Sequence, residues 1–528
     1  MALAGLATGQ ARRQYDEAQL RLCLLLLQAY GALRVAHIND QPVAAWGVPL
    51  GTARRPDGDT LDQYLNALIQ QDEPDDDAAL GQVRPGGLID MAQLHSLVGW
   101  AQAGLLTDRV WLFDGHTVEY TGQADIGKTK HGTKHTSVKA VKRCTLFNRL
   151  SALTAYFPAS VSFAAALRQM VSKANAVLPP ADRIRHLAFD KEGWDTDLLH
   201  WLETEQDISP ITWVKATAIN QRLLAAVPQS EFVAVPGEWL IGKNEQTDQL
   251  AQVADTTVTF PDLGSRRVVV VDTTAGTRLG IYTTARHPKD AALTDERALT
   301  TSGLLEALRC KQRIENGFKV ETNELASDAW PTHQVHEVRQ TEPYDLAQAQ
   351  HQLAQAEKRL VKYAAQEQQY QHLLAVDQID HHEFNLLSNR TRRLRQQTTR
   401  QQEQLTTELE SVTVDEHGQA TRSYTAQVLD LRKLTLVNLF KTHALVALQI
   451  LAQQLGLDGA GPVRLRREFL AFGGRVEFDH EQRIATVYAQ RFPRARTQQA
   501  YEQLCAVLRD RPVTLERGGS CYQVRFSW

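Results

Sequence analysis

With 528 residues, the chain is too long for one ordinary hydrophobic core and requires two to four domains, or one elaborated catalytic core with appendages. Apolar residues at 43% and charged residues at 23% exclude a disordered or collagen-like chain, and a net charge of -3 excludes a global attraction to polyanions, so any nucleic-acid footprint must be local. The five cysteines (Cys23, Cys144, Cys310, Cys505 and Cys521) are too scattered for a zinc ribbon or a disulfide framework, which favours a reducing compartment.

Along the chain, residues 14–35 have helical character, and the apolar run Leu22 to Leu27 is too short for a membrane span or a signal core. "LGTARRPDGDTLDQYLNALI" reads as a turn feeding a helix capped by Asp59 or Thr60, with Leu61, Tyr64, Leu65 and Leu68 on its apolar face. The acidic stretch "DEPDDDAAL" lacks the spacing and central glycine of a calcium loop and reads as solvated. From 109 the texture turns to short β runs, "RVWLF", "VEY", "SVKAVKRCTLFN" and "LTAYF", followed by the helical "SFAAALRQMVSKANAVL" and the strands "IRHLAF" and "ITWVKA". A stretch rich in Val, Thr, Gly and Pro then forms a β-rich insertion, in which Asp272 of "VVVVDTTAG" takes a hairpin-turn role. The next helix starts near Thr300 to Ser302. Residues 345–411 carry a heptad: Leu346, Leu353 and Leu360 form one stripe, with Ala349, Ala356, Tyr363 and Tyr370 as the second. The pattern slips through "AVDQIDHHEF" and resumes at Leu387, Leu394, Leu405 and Leu409, so an antiparallel coiled-coil hairpin is more economical than one rod. Asp380, His381, His382 and Glu383 near its tip diverge as neighbours on a helix and read as solvated. Beyond 422 follow an apolar helix and two β-hairpins, among many arginines.

Two carboxylates share one grammar. "VWLFDGH" and "HLAFDKEGW" each bring an apolar strand to Phe-Asp and then turn, so Asp114 and Asp190 are expected at the ends of adjacent strands. Close carboxylates repel, and one holds its proton unless a divalent cation, bound by hard oxygen ligands, makes both ionised forms favourable. Glu315 in "LRCKQRIENGFK" is the best third ligand, with Lys311, Arg313 and Lys319 around it, as a polyanionic substrate would want. The run from Lys128 to Arg143 holds Lys128, Lys130, Lys134, Lys139, Lys142 and Arg143 and no acid. Alone it reads equally as an exposed hairpin or as a phosphate-binding surface; beside the acids, DNA is favoured.

"FDGHTVEYTG", "LAFDKEGWD" and "RIENGFK", in that order and with the β-rich insertion between the second and third, resemble the DDE transposases of bacterial insertion sequences over roughly residues 50–330. The resemblance implies an α/β ribonuclease H-like catalytic core related to retroviral integrases. On this reading 1–105 is a mainly helical region, 106–215 the first part of the core, 216–298 the insertion, and 299–340 the rest of the core with the final helix. The coiled-coil hairpin occupies 341–415 and a small α+β region 416–528. It further implies that Asp114, Asp190 and Glu315 hold two Mg²⁺ or Mn²⁺ ions, which clamp the attacking and leaving oxygens of an in-line displacement at phosphorus. Double-stranded DNA, as element ends and target, is the expected partner, with a homodimer on DNA, no membrane, and a cytoplasmic, nucleoid-associated location in a bacterium. Where related transposases carry a Tyr-Arg-Glu-Lys signature, this chain has Leu308, Lys311, Glu315 and Thr322, which leaves the strand-handling chemistry open. Trp213 and Trp239 weigh more as core residues than as stacking platforms. The alternatives are an inactive transposase-derived DNA-binding protein and a metal-dependent nuclease without strand transfer.

Overall fold

The computed structural model describes residues 15–30, 35–40, 55–72, 82–130, 136–234, 250–273, 278–290, 298–309, 334–454, 474–489, 495–510, 514–517 and 520–527, with Leu3, Leu6 and Thr8. The N-terminal region supplies α1 (Glu17–Ala29), α2 (Gly58–Gln71) and α3 (Leu88–Gln102). α1 opens on a reciprocal cap, in which Asp16 accepts the Gln19 N–H and the Gln19 side chain accepts the Asp16 N–H. α2 is capped by Asp57, which accepts the Thr60 N–H at 2.7 Å, so the cap lies two residues before the first one expected. The expected apolar face of Leu61, Tyr64, Leu65 and Leu68 is buried.

The middle of the chain runs β1 (Trp111–Glu119), β2 (Lys128–Lys130), β3 (Ser137–Asn148), β4 (Leu150–Pro158), α4 (Phe163–Val177), β5 (His186–Phe189), α5 (Thr196–Thr204) and β6 (Ser209–Trp213). It continues with α6 (Ala218–Ala225), β7 (Val233–Ala234), β8 (Leu250–Phe260), β9 (Gly264–Thr273), β10 (Arg278–Thr283) and α7 (Thr301–Arg309). Together the strands make one sheet in the order β2-β3-β1-β5-β6-β10-β9-β8-β7, with β4 also on β3. β1, β3 and β4 pair antiparallel, β1, β5 and β6 pair parallel, and β10 joins β6 antiparallel through Ile281↔Trp213. The strands read as an insertion therefore extend the central sheet. Both faces of that sheet are covered, which is why β9 has four consecutive valines: Val268 and Val270 enter one apolar cluster, Val269 and Val271 the other. Asp272 pairs with Arg278 across the β9–β10 hairpin, and the turn between those strands lies outside the described residues.

α7 is tied to the sheet by Asp255 on β8. Its carboxylate takes two hydrogen bonds from Arg267, at 2.9 and 2.6 Å, and one from the Thr301 hydroxyl, while Arg267 also reaches the Ala285 and Leu299 carbonyls. Burial opposes the charge on Asp255, but the hydrogen bonds from Arg267 and Thr301 and the positive charge of Arg267 outweigh it and hold the carboxyl below its ordinary range. A depressed folded-state value contributes stability that is complete above the unfolded value, about pH 4, and is lost as pH falls through the folded one. The variant Asp255→Asn is therefore expected to cost about 2 to 3 kcal/mol at neutral pH and to flatten the acid limb of the stability profile; denaturant melts across pH check both.

Helices and strands of 336–428 form a second compact unit. Its sheet, in the order β11-β13-β12, comprises β11 (Val335–Pro343), β12 (Val412–Val414) and β13 (Ala420–Leu429), and its other part is a helical hairpin of α8 (Leu346–Ala375) and α9 (His381–Glu410). α8 buries Ala349 and Ala356, as the heptad predicts. On α9, however, the buried line is Thr391, Thr398 and Leu405, again seven apart, whereas Leu394 is 39% exposed. Small residues, Ala349 and Ala356 on one helix and Thr391 and Thr398 on the other, make up most of the buried line. In the tip Asp377 takes a left-handed conformation and Asp380 caps α9 by accepting the Glu383 N–H.

The last segment returns to the first unit with α10 (Leu431–Gln454), then β14 (Gly474–Asp479), β15 (Ile484–Ala489), α11 (Ala495–Asp510), β16 (Thr514–Arg517) and β17 (Ser520–Ser527). Both expected hairpins form, and β17 joins β15 in parallel to make a four-stranded sheet. α10 is long and apolar enough to cross a membrane by length and composition, yet two thirds of its apolar stretch is buried in the protein. It runs through the core: Leu431 and Leu434 pack with Val118 and Tyr156, Leu436 and Phe440 with the N-terminal helices, and Val446 with the central sheet.

Candidate active site

β1 begins as a strand buried on both faces. Trp111 and Phe113 enter the cluster that α3 and α4 cover, and Leu112 enters the opposite one with Ala188, Ile211 and the α7 residues Leu304 and Leu305. At Asp114 the second face turns polar. The expectation that β1 ends there needs correcting, because pairing with β3 continues from Asp114↔Thr145 to Glu119↔Ala140. What ends at this level is the parallel neighbour, whose last residue is Phe189.

The register sets the acids side by side. Trp111, Leu112 and Phe113 lie opposite Leu187, Ala188 and Phe189, so Asp114 and Asp190 are the next positions on strands about 4.8 Å apart. Asp190 keeps extended backbone angles (φ -73, ψ 162), so the alternation of Leu187, Ala188 and Phe189 carries over to it. Both acids thus extend the face of Leu112 and Ala188, which α7 covers. Both are half-buried, and each accepts the N–H of the next residue: Asp114 from Gly115 at 2.9 Å, Asp190 from Lys191 at 2.7 Å.

The phenylalanines before the acids are held by Phe163 on α4. Its ring meets Phe113 edge-on at 5.0 Å and lies 6.4 Å from Phe189. After Asp190 the chain makes one tight turn over Lys191–Gly193, with Gly193 packed so closely that a Cβ would lie 2.5 Å from Phe189 and 2.9 Å from Phe163. Trp194 then packs on Phe260 and Tyr282, anchoring the turn to β8 and β10. Phe163 and Gly193 hold the two Phe-Asp pairs in place; Gly193 lies within "LAFDKEGWD", whereas no motif points to Phe163. For Gly193→Ala we expect a loss of about 1 to 3 kcal/mol, since the aromatic rings must move; thermal melts check it.

Cys144 lies opposite Gly115 but brings no thiolate chemistry. Burial drives its thiol up to about 12, with Lys142 pulling down and Asp114 and Glu192 adding to the rise.

The basic run divides. Lys128 is exposed on β2, where Lys130 also lies. Lys139 instead holds its own loop through the Ala124 and Gln123 carbonyls and Asp125, and Lys142 donates to the Val161 carbonyl at 2.6 Å. Arg143, opposite His116, is fully enclosed and offers no surface to a phosphate, a correction to its expected role. These cations lie on a strand of the covered sheet, so alternation turns part of the run inward. Lys134, Lys311, Arg313, Glu315 and Lys319 lie outside the described residues, as does Trp239. α7, the described helix preceding Glu315, sits on the face that carries the two acids.

Hard oxygen donors abreast on a sheet suit a divalent cation such as Mg²⁺. Among the described residues no three His, Cys, Asp or Glu side chains gather into a metal site, so this pair needs a further ligand.

Fold and site together define a mixed α/β protein whose large central sheet presents two carboxylates side by side. No protein-family model and no curated protein matches the chain. Among solved structures it is similar to a piggyBac transposase in a synaptic complex with hairpin DNA, at 9% identity and a TM-score of 0.31, over 63% of this chain and 65% of that one. The likeness thus spans less than two thirds of that chain's length.

Proposed function

We propose that the chain is a DDE-type transposase that cuts DNA at element ends and joins them to a target. The observation that carries this reading is the β1–β5 register, which puts Asp114 and Asp190 abreast on the face covered by α7. We read β4-β3-β1-β5-β6, three antiparallel strands followed by two parallel to the first, as a ribonuclease H-like core, and the α8–α9 pair as a coiled-coil hairpin. Asp114, Asp190 and Glu315 would hold two Mg²⁺ or Mn²⁺ ions, whose chemistry is to activate the attacking oxygen and stabilise the leaving one. The chain's own contribution is placement: Phe163 and Gly193 fix the level of the two aspartates, and Asp255 holds the start of the helix that leads toward Glu315. Duplex DNA is the substrate in this reading, handled by a homodimer in a bacterial cytoplasm.

The test is incubation of the purified chain with Mg²⁺ and labelled duplexes carrying the element's terminal repeats. Strand-joined products support the proposal. Cuts without joining reduce it to a nuclease, and binding without cuts to a DNA-binding protein.

A further inference from the structure

Between Glu383 and Glu403, α9 carries Arg390, Arg392, Arg393, Arg395 and Arg400 and no acid. All five are exposed. Arg395 bridges to Glu367 on α8 at 2.6 Å, whereas Arg390, Arg392, Arg393 and Arg400 form no ion pair among the described residues. At 100° and 1.5 Å per residue, Arg393 and Arg400 share one side of the helix about 10 Å apart, with Arg392 on the flank between them and α8. Arg392, Arg395 and Arg400 also line an open groove of about 610 Å³ along the hairpin, completed chiefly by Gln371, Gln396 and Thr399, with Glu367 and Glu403 as its acids.

From this surface we infer that the α9 arginine row is a contact site for the phosphate backbone of duplex DNA, separate from the aspartate pair. Three arginines and two glutamates line the groove, and Arg390 and Arg393 add to the positive side on the same helix, so the excess is positive where the whole chain is slightly negative. Among the described residues Phe384 is the groove's one apolar lining residue, which argues against a small apolar ligand and against a protein partner, since both need an apolar contact core. Phosphates need no such core: guanidinium groups along an exposed helix supply both charge and hydrogen bonds. The inference rests on the reading of DNA as substrate, but not on catalysis.

The experiment is fluorescence anisotropy of a labelled duplex of arbitrary sequence with the full chain, titrated with salt without Mg²⁺. For R392Q/R393Q/R400Q the slope of log affinity against log salt is expected to fall by about 2.7, at about 0.9 for each phosphate that is no longer neutralised, while R392K/R393K/R400K keeps most of it. Glutamine retains helix propensity, so the melting temperature should match the wild type. An unchanged slope in the glutamine variant overturns the inference, as does wild-type protein that ignores the duplex or is displaced equally well by polyglutamate. Binding by wild-type protein that never cuts DNA leaves this inference standing while sinking the catalytic reading.

Discussion

Asp190→Ala is expected to remove Mg²⁺-dependent cleavage by about 10³-fold or more, the loss of several kcal/mol of metal-borne transition-state stabilisation, while leaving duplex binding intact. The expectation follows from where Asp190 sits. It is half-buried beside Asp114 at the end of β5, where the two carboxylates set hard oxygen donors side by side, as a divalent cation requires. Asp190 also caps the turn at Lys191–Gly193, so the alanine change carries a stability cost of about 1 kcal/mol. Asp190→Asn keeps a side-chain oxygen for that cap and isolates the loss of charge. Asp114→Asn should fall as far, and the double variant little further, because ligands of one site act as a unit. Undiminished cleavage by Asp190→Asn would remove the aspartate pair from the chemistry.

What the sequence disclosed depended on whether its signal was local. The run "HLAF" before Asp190 and the break of the heptad within 375–384 follow from periodicity, and each has its counterpart in the structure, whereas the caps at Asp16 and Asp380 emerge only from the fold. The Phe-Asp grammar likewise located both aspartates. It could not show that β1 continues past Asp114, because that depends on pairing with β3, from Gly115↔Cys144 to Glu119↔Ala140, beyond any local window. The fate of the basic run was hidden for the same reason: enclosure of Arg143 and the loop-holding role of Lys139 depend on which face of β3 is covered. On α9 the leucine pattern pointed to Leu394, but the buried line runs through Thr391, Thr398 and Leu405, set by how α8 and α9 meet and not by residue type alone. The positioning role of Gly193 depends on a ring from α4 that no local window contains.

Asp430→Ala should be the most destabilising single change among the ion pairs, at about 3 to 5 kcal/mol, because it strands a buried guanidinium. Asp430 and Arg432 are each only 2% exposed, and the carboxylate accepts the Arg432 backbone N–H together with its Nε and Nη2 groups, the last at 2.7 Å. The pair opens α10, the helix that then threads the N-terminal helices and the sheet, so its loss reaches three apolar clusters. Asp430 also ties this start to the chain before β11 by donating its backbone N–H to the Gln334 carbonyl. Arg432→Met offers the contrast: with Asp430→Asn in the same chain both charges vanish, and the double variant should recover much of the loss, since a buried pair replaced by apolar or neutral groups is often tolerated. Denaturant unfolding of Asp430→Asn, Arg432→Met and their double gives the coupling energy directly. A single Asp430→Ala cost below about 1 kcal/mol, the usual worth of an exposed pair, would show that α10 is not anchored by this contact.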